Sequence, residues 1–167
     1  MQPRKPTSSD PNIGEKIGPK VGSSSSTVTD PLSTQSGGAD IIGGTGDSAG
    51  PGPQIMAVDT LEGDNVVNLE GETLGEIKNI MIDVLRGRVA YAVLSFGGFL
   101  GMGDKLFAIP WSALTLDADN HNFILDVPKQ YLKDAPGFDK DHWPTMGDVR
   151  WATELHSYYA ARPYWEW

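Results

Sequence analysis

The chain has 167 residues, no cysteine and a formal net charge of −9. Without cysteine there is no disulfide framework, no thiolate nucleophile and no thiolate metal ligand. The acidic surplus disfavours sequence-independent binding to nucleic acid and to anionic membrane surfaces. No run approaches the ~20 apolar residues that span a bilayer. No apolar stretch of signal-peptide length follows Arg4 and Lys5. A soluble, cytoplasmic protein without membrane insertion is the expectation.

The composition divides the chain. Residues 1–54 hold 10 Gly, 7 Pro, 9 Ser and 5 Thr and no aromatic residue. Ordering a backbone costs roughly 1–2 kcal/mol per residue, and a segment with so few large apolar groups cannot offset that. Residues 1–54 are therefore expected to be a disordered Gly/Pro/Ser-rich arm, with Ile41-Ile42 too small to nucleate a core. Residues 55–167 hold all 15 aromatic residues, from Tyr91 to Trp167, and carry −8 of the net charge. That length suffices for one hydrophobic core.

Order is expected to begin near Gln54, after the Pro51-Gly52-Pro53 boundary. Asp64–Asn68 is a short strand candidate, and Gly71-Glu72-Thr73 reads as a turn. From Gly75 to Leu85, Ile80, Ile82 and Val84 recur at period two, which predicts a strand with those residues on one face. Arg86-Gly87 then punctuates the chain. Arg88–Phe96 is apolar on both faces, so it is expected to pair with the preceding strand as a hairpin and to be buried on two sides. A Gly-rich loop over 97–104 leads into a short strand, Lys105–Ile109, before Pro110. Trp111–Leu114 suggests one helical turn, and two short strands bracket the polar turn 118–122. About six short strands at this spacing argue a small barrel. Beyond Val127 the period becomes helical: a short helix begins after Pro128, and a second is expected over about Asp148–Ala160, with Trp151, Leu155 and Tyr158/Tyr159 on one side. Tyr164–Trp167 remain as an aromatic tail.

The runs GEIKNIMIDVLRGRVAYAVLSFGGFLGMGDKLFAIPWSAL and FILDVPKQYLKDAPGF resemble a PRC-barrel domain. That family includes the soluble domain of the photosynthetic reaction-centre H subunit and the C-terminal domain of a ribosome maturation factor. The likeness is nearest to free-standing bacterial PRC-barrel proteins and covers 58–167. It implies a mainly β fold: a six-stranded PRC-type β-barrel over 55–127, with a helical, aromatic-rich extension over 128–167. It also implies a docking surface with no catalytic residues to carry over. The reaction-centre subunit's membrane helix and the ribosome factor's extra domain have no counterpart here, so neither specific role is expected to transfer.

The candidate chemistry is sparse. His121, His142 and His156 share no metal-ligand spacing, and polar or packing roles are expected. Asp117–Asn122 starts like a calcium loop, but Asn122 replaces the sixth-position Gly and Pro128 the twelfth-position Glu, so it reads as a hairpin turn. The 97–105 loop lacks the Lys-Ser/Thr pair of a phosphate loop, with Asp104 and Lys105 in those places. No acid, base and nucleophile set converges, so no enzyme, cofactor or metal is expected. A protein-interaction module, with a protein partner or a second copy, is the leading expectation. Its candidate contacts are Phe99, Leu100 and Met102 in the loop and Tyr164, Trp165 and Trp167 in the tail. The alternative is a small-ligand or ion-binding stress protein using Gly97–Lys105.

Overall fold

In a computed structural model, the structure describes residues 37–44, 52–96 and 105–166. Most of the arm, residues 1–36 and 45–51, lies outside that set. So does the 97–104 loop, with its candidate contacts Phe99, Leu100 and Met102.

Seven strands form one mixed sheet: β1 (Asp40–Ile42), β2 (Asn65–Val67), β3 (Thr73–Asp83), β4 (Arg88–Phe96), β5 (Lys105–Pro110), β6 (Leu114–Asp117) and β7 (Asn122–Leu125), in the order β1-β6-β7-β2-β3-β4-β5. The six expected strands are β2 to β7. Among the described residues no ladder joins the two ends of the sheet, so it is not closed by hydrogen bonds. It nevertheless curls around one core. Val66 of β2, Leu74 and Ile77 of β3, Leu94 of β4, Phe107 of β5, Leu114 of β6 and Phe123 of β7 share a single apolar cluster. Leu61 and Leu132 lie in the same cluster, Leu132 from helix α1 (Lys129–Asp134).

β1 revises the expectation for the arm. Asp40–Ile42 pairs in parallel with Thr115–Asp117 of β6. Three residues show no periodicity, so only the partner edge reveals them as a strand. Their side chains are all exposed, and the core forms without them.

β3 revises the expected face. Its pairing with β4 slips between Ile77 and Asn79 and again between Met81 and Ile82. Each bulge changes which side chains point inward. Leu74 and Ile77 enter the core and Ile80 packs half-buried against it. Ile82 is exposed, and Val84 lies beyond the strand end, exposed in the turn. Gly75 permits this strand to lie against β4, because a Cβ there would fall on the Ser95 carbonyl oxygen, far inside van der Waals contact.

β4 is covered on both faces, as expected. Ala92 and Leu94 face the main core. Ala90 and Tyr91 belong to a second cluster with Ala152 and Leu155 of helix α2 (Val149–Tyr158). α2 is capped at its start by the Asp148 carboxylate, which accepts the Trp151 N–H at 2.9 Å, satisfying one otherwise orphaned donor. α1 and α2 are joined by reciprocal bonds: the Tyr131 hydroxyl donates to the Tyr158 carbonyl, and the Tyr158 hydroxyl donates to the Tyr131 carbonyl at 2.9 Å.

The free side of β5 is covered by the chain itself. Leu106 N–H donates to the Phe138 carbonyl and Phe138 N–H to the Leu106 carbonyl, both at 2.8 Å. Such cover removes a template for edge-to-edge pairing.

Candidate interaction surfaces

The β3–β4 turn is built from its ends inward. Asp83 and Gly87 close it, with Gly87 N–H donating to the Asp83 carbonyl at 2.7 Å. Gly87 has φ of 65°, a left-handed value that glycine adopts at little cost. The Asp83 carboxylate accepts the Arg86 N–H at 3.0 Å and its guanidinium at 2.7 Å. The Arg86 guanidinium hydrogen bond holds the Asp83 carboxyl below the usual carboxylate range. With both polar ends tied to each other, the two residues between them point out: Val84 is 86% exposed and Leu85 94%, and Ile82 beside them is 52% exposed. Scattered single apolar residues are ordinary on a surface, but Val84 and Leu85 are adjacent at the tip of one fixed turn, with exposed Ile82 near the end of the strand that leads into it. Composition alone did not single out this tip. The sequence signal for it was the Asp83-x-x-Arg86-Gly87 spacing around two aliphatic residues.

Tyr164 and Trp165, two of the candidate contacts, are engaged within the chain. Ala160 takes φ of 50° and turns the chain back after α2. The returning segment is fixed by Ser112 Oγ donating to the Arg162 carbonyl at 2.7 Å and by Arg88 Nη1 donating to the Tyr164 carbonyl at 3.2 Å. Tyr164 then stands edge-on to Tyr91 at 5.5 Å between ring centroids, and Trp165 stands edge-on to His156 at 5.1 Å. Both rings are half-buried in their own chain. Trp167 lies outside the described residues.

His156 sits at the centre of this tail contact and is 2% exposed. Tyr91, Tyr164 and Trp165 surround its ring at 5.8, 5.9 and 5.1 Å. Neither ring nitrogen makes a hydrogen bond of ordinary geometry. Burial lowers its pKa from the usual histidine value, and the Ala161 and Arg162 carbonyls and the Glu166 carboxylate oppose that shift only in part. The expected packing role fits this placement. Its depth was not legible from spacing, because it depends on the tail folding back.

The other candidates disperse. His142 Nδ1 lies 2.8 Å from Asp139 on an exposed loop. His121 occupies the β6–β7 turn with φ of 52°. Asp117 organises that turn by accepting the Asp119 and Asn120 N–H groups at 3.2 and 3.1 Å and the Asn120 amide at 2.7 Å. These are the bonds by which an Asp side chain organises a tight turn. Lys105, where the loop re-enters the sheet, is engaged within the chain: its ammonium donates to the Ala135 carbonyl at 3.4 Å and lies 4.9 Å from the Phe107 ring centre. Among the described residues, no group of three or more His, Asp or Glu side chains is placed to hold a metal ion, and no helix is long and apolar enough to cross a membrane.

No curated protein matches the chain. The family model of the PRC-barrel domain matches residues 53–132, a span that contains all of β2 to β7 and ends inside α1. A mainly β sheet curled around one core, with short strands and a helical flank, agrees with that match, and residues 53–132 are similar to the PRC-barrel domain.

Proposed function

We propose that the protein is a non-enzymatic protein-interaction module, an adaptor or assembly element, that docks a protein partner through the β3–β4 turn. The observation that supports this reading is the tip formed by Val84 and Leu85, held in one shape by the Asp83–Arg86 contacts. Burying a Val or Leu side chain contributes roughly 1.5–3 kcal/mol. A tip whose geometry is already set loses little further conformational freedom on docking. A few well-packed central residues carry most of the affinity in protein interfaces, and Val84 and Leu85 are the adjacent exposed pair that a cleft would enclose. The partner is accordingly a protein with an apolar cleft wide enough for two aliphatic side chains.

The test is a Val84→Ser/Leu85→Ser double variant compared with wild type in affinity capture from the native cell. Both side chains are exposed, so the variant is expected to melt within a few degrees of wild type. The expected result is loss of the captured partner at unchanged stability. A partner recovered equally by both proteins overturns the role of the tip.

A further inference from the structure

The two ends of the sheet are finished in unequal ways. At β5 the chain seals its own edge with a paired bridge between Leu106 and Phe138, and Gly137 allows the close approach. At β6 the cover is β1 alone: three residues in parallel register, Asp40 with Thr115, Ile41 with Leu116 and Ile42 with Asp117, none of them buried. Two further contacts fix its end. Ala118 N–H donates to the Ile42 carbonyl at 2.9 Å, and Gly44 N–H donates to the Asp119 carboxylate at 2.9 Å. A side chain at Gly43 would strike the Asp119 carboxylate, so the site accepts an extended aliphatic pair followed by glycine. β1 is thus a short peptide seated on a sheet edge by backbone bonds, the arrangement of strand addition, and of its flank only the part-buried Ala39 packs against the core.

We propose that this seat is exchangeable between molecules: the β6 edge of one copy receives the Asp40–Gly44 segment of a second copy. The second copy is the occupant because it supplies the same residues in the same register, including Gly43, where a side chain would strike Asp119, and Gly44, whose N–H Asp119 accepts. The exchange is reciprocal, since each copy has one segment to give and one edge to fill, which makes the contact isologous and closed at two subunits. Within one chain the segment is tethered through residues 45–51, and a short tether gives an effective concentration of order mM. Exchange therefore grows with protein concentration and dominates where copies are gathered together. The inference extends the interaction-module reading by naming a second copy as a partner. It uses a different edge from the Val84–Leu85 tip, so either can fail alone.

The chain has no cysteine, which makes disulfide trapping specific. In one full-length chain, Asp40→Cys with Thr115→Cys is expected to close an internal disulfide, reporting the register. The single variants Asp40→Cys and Thr115→Cys are then mixed at high concentration under mild oxidation. The expected result is a covalent heterodimer forming on the order of tenfold faster than from Asp40→Cys mixed with Lys140→Cys, with a rate that falls on dilution. A heterodimer forming no faster than that control overturns the exchange. Failure of the internal disulfide overturns the β1 seat itself.

Discussion

Replacing Gly137 by Ala tests how the β5 edge is sealed. A Cβ at this position would lie 2.5 Å from Lys105 Cε, 2.9 Å from the Leu106 carbonyl oxygen and 2.9 Å from Phe107 Cε1. The first contact is cheap, because the end of a lysine side chain swings away. The other two are not: Leu106 O belongs to the sheet backbone, and Phe107 is fully buried. The chain at 137–138 must therefore back off, and the two 2.8 Å bonds between Leu106 and Phe138 stretch or break. Two backbone bonds at about 0.5–1.5 kcal/mol net each give about 1–3 kcal/mol. Forcing a methyl against the Phe107 ring adds about 1–3 kcal/mol where it cannot be relieved. The expected destabilisation is about 2–6 kcal/mol. Urea denaturation gives the total, and hydrogen exchange at the Leu106 and Phe138 amides localises it, with both expected to lose protection while the β3–β4 amides keep theirs. Adding Lys105→Ala is expected to rescue nothing. A loss below about 0.5 kcal/mol, with both amides still protected, would refute the close-approach reasoning.

Two further perturbations have clear signs. Because burial lowers the folded-state pKa of His156 from the usual 6.5, the unfolded chain takes up a proton first as pH falls. Its contribution to stability is complete above pH 6.5 and is lost as pH drops through the lowered folded value. Urea midpoints measured across that window are expected to decline for wild type and to flatten for His156→Leu; a wild-type profile with no decline contradicts the buried placement. Asp148→Ala removes the cap of α2 and is expected to cost about 1 kcal/mol, read as a lower thermal midpoint. Asp148→Asn, which keeps the accepting oxygen, is expected to recover most of that loss, and equal losses for the two variants argue against capping.

Most of the sheet was legible in the sequence, because β4 to β7 are short apolar runs bounded by Gly, Pro and Asp/Asn turns. Both helices were legible through Pro128 and the Trp151–Leu155–Tyr158 spacing. What was not legible depends on non-local geometry. Period two in Ile80, Ile82 and Val84 pointed to one face, and two bulges against β4 put Ile82 outside while the turn carried Val84 away. β1 is invisible locally, since Asp40-Ile41-Ile42 becomes a strand only beside β6. The path of the tail is non-local for a related reason: the reversal at Ala160 and the bonds from Ser112 and Arg88 bring Tyr164 and Trp165 back onto Tyr91 and His156. Those anchors lie about 50 and 76 residues earlier in the chain, beyond any window of local pattern. The exposed tip emerged from the same facts, once the bulges had turned β3 and the Asp83–Arg86 pair had fixed the turn.

Site-directed photo-crosslinking at the tip tests the interaction reading most directly. Leu85→Cys gives the chain its single thiol, to which a photoreactive group is attached, and Lys140→Cys carries the same group as an exposed control. In native-cell extract, the label at residue 85 is expected to give one defined protein adduct that unlabelled wild type competes away and the Val84→Ser/Leu85→Ser variant does not. The same set of adducts from both positions, indifferent to competitor, would contradict docking through the β3–β4 turn.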